Sequence, residues 1–202
     1  MKLFYAGASP FARKVLIVAH EVGLAGKITV IPFAANPLEK EKAINQHNPA
    51  GKIPTLVTEK GEGIYDSRVI CEYLDALADG RMFPQGEARW KALVLQSLCD
   101  EAMDAAILAR YETFLRPEPV RWQDWIDGQV NKIEKSLDVL ENSEIHHLSS
   151  TFDIGCAAAG CLLGYLDFRF AHLNWRSSRP KLAAWFEGIS KRPSMSATEP
   201  KS

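Results

Sequence analysis

A chain of 202 residues with 24 Lys+Arg against 25 Asp+Glu is long enough for two modest domains or one large one, and its charge is nearly balanced on either side of residue 80. That balance excludes a polyanion-binding surface as the main feature, because nucleic acid and anionic membranes are held by many clustered Lys and Arg. With 47% hydrophobic and 24% charged residues, the chain buries a core and is not a disordered segment.

In chain order, Lys2-Leu3-Phe4-Tyr5 reads as a short strand, and Gly7-Ala8-Ser9 as a turn, with Pro10 well placed at the first position of a helix. Apolar residues at Phe11, Val15, Val18, Ala19 and Val22 mark one helical face, and Gly23 supplies the stop. Ile28-Thr29-Val30-Ile31 is β-branched and short, so it reads as a second strand, parallel to the first by the crossover rule. Leu38 to Asn45 is charged and weakly helical, and Asn48-Pro49-Ala50-Gly51 is a turn. Thr55-Leu56-Val57 and Ile64-Tyr65, around a Glu59 to Gly63 turn, read as an antiparallel hairpin. Asp66 or Ser67 caps the next helix, whose apolar face is Val69, Ile70, Tyr73, Leu74 and Leu77.

After this βαβαββα order the pattern changes. Gly80, Pro84 and Gly86 punctuate a linker over 79–87. Helical periodicity runs from Ala88 to Phe114, restarts after Pro119 and continues through Leu140. A third helix begins near Ser150, where Ser150-Thr151-Phe152-Asp153 resembles a capping box with Asp in place of Glu. Pro180 opens a last helix through Leu182, Trp185, Phe186 and Ile189. The expected division is an α/β domain over 1–78 and an all-helical domain over 88–202.

No apolar run approaches the ~20 residues that span a bilayer, and Met1 to Tyr5 is interrupted too soon for a secretory signal. Cys71, Cys99, Cys156 and Cys161 lie in apolar periodic segments without metal-ligand spacing, as buried thiols of a reducing, cytoplasmic compartment would. His146 and His147 are adjacent, and no cysteine or carboxylate cluster joins them in the sequence. They read as a loop pair, and no metal is expected.

Three features of the first domain bear on chemistry. Ser9-Pro10-Phe11-Ala12 lies on the turn from the first strand to the first helix, at the strand end where open α/β sheets place ligands. The helix N-terminus there favours an anion such as a thiolate, although Ser before Pro is also a common cap. In Lys52-Ile53-Pro54-Thr55, Pro54 either begins a strand or makes a cis turn that frees the Ile53 N–H and C=O to pair with an extended peptide ligand. In Asp66-Ser67-Arg68-Val69-Ile70, the helix N-terminus and the Ser67 hydroxyl suit a carboxylate, and the Asp66 carboxylate suits an ammonium; capping alone is the plainer role.

The motifs Asn48-Pro49-Ala50-Gly51-Lys52-Ile53-Pro54-Thr55-Leu56, Asp66-Ser67-Arg68-Val69-Ile70 and Ser150-Thr151-Phe152-Asp153-Ile154, in this order and spacing, resemble the cytosolic glutathione S-transferases of the bacterial, serine-type pattern. The resemblance spans nearly the whole chain. It implies a thioredoxin-like domain followed by an all-α bundle, with glutathione as co-substrate and no metal. The last motif matches the family's helix cap, with a role in folding. Where glutaredoxin-like relatives carry Cys-Pro-x-Cys, this chain has Ser9-Pro10-Phe11-Ala12, which removes mixed-disulfide exchange. The resemblance assigns Ser9 as hydrogen-bond donor to the glutathione sulfur, with a backbone N–H as the other candidate. Ile53 at a cis Pro54 pairs with the cysteinyl part, Lys52 reaches the glycyl carboxylate, and Asp66 and Ser67 hold the γ-glutamyl end; most members have Glu in place of Asp66.

A small electrophile is then expected in a cleft lined by Phe11, Ile107, Arg110, Tyr111 and Phe114, with Arg110 suited to an anionic co-substrate. A homodimer is implied, in which Asp100, Glu101 and Asp104 reach a partner copy; neither nucleic acid nor membrane is a partner. The expected activity is transfer of an alkyl or aryl group to the glutathione sulfur, as in detoxification. The alternatives are a non-catalytic glutathione-binding or protein-interaction member of the fold, or another glutathione-dependent enzyme such as an isomerase, dehalogenase or peroxidase.

Overall fold

The computed structural model describes residues 1–33, 36–39 and 43–201, and the chain forms two compact units: Met1–Arg89 with Arg192–Ser202, and Trp90–Lys191. The first is a thioredoxin-like α/β unit built on a mixed sheet. Strands β1 (Lys2–Tyr5), β2 (Thr29–Pro32), β3 (Thr55–Val57) and β4 (Gly63–Ile64) lie in the order β2-β1-β3-β4. β1 runs parallel to β2, with Leu3 opposite Val30, and antiparallel to β3, with Phe4 opposite Thr55. β3 and β4 form the expected hairpin, one residue earlier than the apolar pair Ile64-Tyr65 suggests. A Cβ at Gly63 would overlap the His47 carbonyl, so only glycine lets the two backbones approach there.

Helix α1 (Pro10–Glu21) is amphipathic and buries Ala12, Val15, Ile17, Val18 and Ala19. It packs against α2 (Ser67–Ala76), which buries Ile70, Cys71 and Leu74. The weakly helical stretch expected over 38–45 falls partly on 40–42, outside the described residues; its described end is a tight turn of 3-10 helix at Ala43–Gln46. The linker is not loose at its start. Asp75, 4% exposed, accepts hydrogen bonds from the backbone N–H groups of Arg81 (2.8 Å), Met82 (2.8 Å) and Phe83 (3.3 Å).

The second unit holds α3 (Glu87–Phe114), which begins just before the unit boundary, then α4 (Gln123–Val139), α5 (Ile145–Ser150), α6 (Ile154–Arg169), α7 (Trp175–Ser178) and α8 (Pro180–Ser190). Helix α6 is buried on all sides from Ile154 to Leu166, the burial expected of a helix apolar all round. No single helix among the described residues is long and apolar enough to cross a membrane. Buried Arg179 ties α8 to α4 through Glu134 (2.6 Å) and Asp138 (2.7 Å). Glu141 accepts from the N–H groups of Lys181 (3.2 Å) and Leu182 (2.7 Å), capping α8.

Three expectations change here. His146 and His147 lie in α5, not in a loop, and His147 Nε2 meets Asp153 Oδ2 at 2.8 Å. Ser150 ends α5, and Asp153 itself is the N-cap of α6, accepting from Gly155 (2.9 Å) and Cys156 (3.1 Å). A Ser and an Asp three residues apart are both good caps, and the next-turn contacts decide between them.

The third change concerns the segment after Lys191, which the sequence reading assigns to the helical domain and which clusters with the first unit. Its short helix α9 (Pro193–Ser196) packs on α1. Arg192 binds Glu21 through Nε (3.1 Å) and Nη2 (2.7 Å), and Ser194 donates to the same carboxylate. Buried Arg13 donates to the Met195 carbonyl (3.2 Å) and the Thr198 hydroxyl (3.5 Å).

Burial pushes the Glu21 carboxyl up, but the hydrogen bonds from Arg192 and Ser194 and the charges of Arg192 and His20 more than reverse this, so its pKa lies below the ordinary value. A depressed folded pKa contributes stability that is present above the unfolded carboxyl value of about 4.3 and is lost as pH falls through the folded one. Glu21→Gln is therefore expected to cost about 1–2 kcal/mol at neutral pH, discounted for the partly exposed pair. In urea unfolding at stepped pH, the gap between wild type and variant should close as the medium is acidified below that range.

Candidate functional site

The strand register gathers the predicted residues at one end of the sheet. β1 leaves that end at Tyr5 and leads into Ser9; antiparallel β3 enters there, so Pro54 precedes the Thr55 that faces Phe4. β4 pairs Ile64 with Leu56 and exits to the same end, carrying the chain to Asp66 and Ser67. A surface depression of about 650 Å³, lined among others by Met1, Lys2, Val57 and Thr58, lies toward the other end of the sheet and holds none of these residues.

Ser9 is the N-cap of α1: its Oγ accepts from the Ala12 N–H (3.2 Å) while its backbone N–H donates to the Ala6 carbonyl (2.9 Å). The hydroxyl proton is not used by that cap. It is free to donate to an anion beside the helix N-terminus, where the aligned peptide dipoles add positive potential. Capping and anion binding, weighed as alternatives from the sequence, are compatible at one side chain.

The Ile53–Pro54 peptide is cis. Buried Asn48 holds the loop that carries it, through Nδ2 to the Lys52 carbonyl (3.1 Å) and the Thr55 hydroxyl (3.0 Å) and through Oδ1 to the Ala50 N–H (3.0 Å). Thr55 Oγ1 also donates to the Lys52 carbonyl (2.8 Å). With that carbonyl doubly bonded, the Ile53 backbone groups have no hydrogen-bond partner among the described residues. The Lys52 side chain is exposed. Asn48 and Thr55 are positioning residues that the sequence reading passes over as a turn and a strand start; an Asn-Pro turn two residues before a Lys-x-Pro is the signal that marks them.

Asp66 follows a second cis peptide, Tyr65–Asp66, and caps α2 through Oδ1, which accepts from the Arg68 N–H (2.9 Å). The residue is exposed. Ser67, 3% exposed, has no partner for its hydroxyl among the described residues. Two helix N-termini, one freed backbone segment and a set of hydroxyl and carboxylate groups therefore share one end of the sheet, an arrangement suited to a small peptide with separate charged ends.

Of the expected cleft residues, Phe11 lies on α1 with the Lys14 ammonium 5.8 Å from its ring centroid. Ile107, Arg110, Tyr111 and Phe114 lie on the last turns of α3, where the Arg110 guanidinium stacks 4.4 Å from the Phe114 ring centroid. Asp100 is 1% exposed, so it is a core residue rather than one that reaches a partner copy. Among the described residues, His147, Asp153 and Cys156 offer potential metal-ligand atoms within 4.8 Å of one another. Their hydrogen bonds serve the start of α6: both backbone donors and the imidazole converge on Asp153, and the Cys156 thiol donates to the Thr151 carbonyl (3.4 Å).

Comparison with known proteins matches residues 8–77 to the glutathione S-transferase N-terminal domain and residues 123–188 to the glutathione S-transferase C-terminal domain. The chain is 34% identical, over 99% of its length and 98% of the relative's, to the uncharacterized GST-like protein YibF of Escherichia coli K12. It is 46% identical to a glutathione transferase family member from Pseudomonas fluorescens Pf-5 with bound glutathione, with a TM-score of 0.97 over 100% of this chain and 99% of the other. A family member from the same strain with bound S-(propanoic acid)-glutathione is 44% identical, with a TM-score of 0.91 and full coverage of both chains.

Proposed function

Because the chain belongs to the glutathione S-transferase family, we propose that it is a glutathione transferase in which Ser9 activates the thiol of bound glutathione for attack on a small electrophile. The observation that carries this reading is the unused Ser9 hydroxyl proton at the N-terminus of α1, at the same sheet end as the unpaired Ile53 backbone and the Asp66-Ser67 helix start. In it, Ile53 pairs with the cysteinyl backbone and Lys52 takes the glycyl carboxylate. Asp66 takes the ammonium, and Ser67 the carboxylate, of the γ-glutamyl end. The Pseudomonas relative with bound glutathione supports glutathione as ligand, and the one with the S-linked propanoic acid supports a thioether of its sulfur as product.

The chemistry follows from acidity. A thiol of pKa about 8.5 is mostly protonated at neutral pH, and lowering it by about 2 units takes about 2.7 kcal/mol of preferential anion binding. One charge-assisted hydrogen bond contributes about 1.5–3 kcal/mol, and the helix dipole adds to it. The thiolate forms a C–S bond with the electrophilic carbon as the leaving group departs with its bonding electrons, or as a conjugated acceptor takes up a proton at its neighbouring carbon.

Titrating the bound glutathione thiol by its ultraviolet thiolate absorbance tests the reading. A pKa well below the free value is expected; an unshifted pKa overturns activation, and failure to bind glutathione favours the non-catalytic member of the fold. The expected homodimer is supported by apolar side chains left exposed on α2 (Val69, 53%) and on one side of α3 (Trp90, 66%; Val94, 69%), and sedimentation equilibrium showing only monomer would remove it. Four unbridged, buried cysteines support a reducing, cytoplasmic setting.

A further inference from the structure

The break between α5 and α6 brings three ligand-bearing side chains to one point. His147 lies on α5, Asp153 caps α6 and Cys156 sits on the first turn of α6; their nitrogen, oxygen and sulfur atoms lie within 4.8 Å of one another. Sequence spacing hides the group, because the chain between the two helices, not one helix face, sets His147 beside Asp153. Each of these atoms is held to a neighbour through a proton. His147 Nε2 and Asp153 Oδ2 share one at 2.8 Å, and the Cys156 thiol donates to the Thr151 carbonyl at 3.4 Å. A cation that replaces those protons meets an imidazole, a carboxylate and a sulfur at once.

The carboxylate is already oriented for that role. Its Oδ1 is fixed by the N–H groups of Gly155 (2.9 Å) and Cys156 (3.1 Å), which leaves Oδ2 to His147; such outer hydrogen bonds aim a ligating group. Charge and ligand type select the ion. Asp153 and Cys156 are buried and the His147 side chain is 19% exposed, so an uncompensated charge there is costly. A carboxylate, a thiolate and a neutral imidazole carry two negative charges, and one divalent ion makes the group neutral. Magnesium and calcium take oxygen ligands, whereas a nitrogen, oxygen and sulfur set suits zinc. Around tetrahedral zinc the ligand atoms stand about 3.3–3.8 Å apart, so His147 and Asp153 would part by roughly 0.5–1 Å and the sulfur would close by about 1.5 Å at most. Side-chain rotations cover such distances, and the partly exposed imidazole gives the ion a way in.

We propose that His147, Asp153 and Cys156 form a site for one zinc-type divalent ion that clamps α5 to α6, with water in the fourth position. On binding, the Cys156 thiol releases its proton to solvent and the imidazole keeps its own on Nδ1. No oxidation state changes.

Cobalt(II) titrated into the full chain, freed of metal by chelation, tests the site. One equivalent should bind with a thiolate-to-cobalt charge-transfer band, the ligand-field bands of a tetrahedral ion and release of a proton, and zinc should abolish the bands by displacement. Cys156→Ala should lose the charge-transfer band and Cys161→Ala, on the same helix, should keep it. His147→Gln should weaken cobalt binding by about tenfold or more. Zinc should also raise the urea midpoint of the wild type but not that of His147→Gln, and magnesium should move neither. Absence of the charge-transfer band, its survival in Cys156→Ala, or octahedral bands alone, the mark of an adventitious surface ion, overturns the proposal. If Cys156→Ala fails to fold by circular dichroism, His147→Gln carries the decision, and wild-type affinity in that variant overturns the site.

Discussion

Ser9→Ala is expected to raise the pKa of the bound glutathione thiol by about one to two units, the worth of one charge-assisted hydrogen bond to a thiolate. Below that pKa, kcat/KM should fall roughly tenfold to a hundredfold, with a smaller loss at high pH where the thiol ionises unaided. Ser9 also caps α1 through the Ala12 N–H, so the same variant loses about 0.5–2 kcal/mol of stability. Ser9→Asp separates the two jobs. Its carboxylate keeps a capping acceptor but sets a negative charge where the thiolate would form, so the helix should survive while the thiol pKa rises above that of the alanine variant. If the thiol pKa is unchanged in Ser9→Ala, a backbone N–H is the activating group and Ser9 is only a cap.

Asp153→Ala should be the most damaging single change to the helical unit. The carboxylate is 3% exposed and accepts from Gly155 and Cys156 while meeting the His147 imidazole. Truncation removes the cap of a helix buried from Ile154 to Leu166 and strands two backbone donors away from water. A lost cap costs about 0.5–2 kcal/mol and a buried unsatisfied donor about 1–3 kcal/mol, so a total near 3 kcal/mol is expected. Asp153→Asn retains a capping oxygen and should lose about half as much. Urea midpoints at constant m-value check both; an alanine variant within about 0.5 kcal/mol of wild type would show that the α6 start holds without its cap.

The parts of the fold legible in the sequence are those set by local chemistry. Pro10 and Gly23 bracket α1, the β-branched run 28–31 overlaps β2 (Thr29–Pro32), and of the two offered caps, Asp66 and Ser67, it is Asp66 that caps α2. The Ile53–Pro54 turn was legible as two alternatives, and the structure takes the cis one. What was not legible depends on partners distant in the chain. Glu21 looks like an ordinary last-turn residue until Arg192, 171 positions away, folds back on it. Asp75 belongs by pattern to the polar side of α2, yet its carboxylate organises Arg81 to Phe83.

The return of residues 192–201 to the first unit bears on how the protein is made. Domains commonly fold in the order in which they leave the ribosome. Here, however, the helix that carries Ser9 meets its partners for Arg13 and Glu21 only after the whole helical unit has been translated. Until then a nascent α1 presents a guanidinium and a carboxylate whose partners lie in the last eleven residues. The α/β half is synthesised first but completed second, so the Ser9 end of α1 gains its full support only when the second half is already in place.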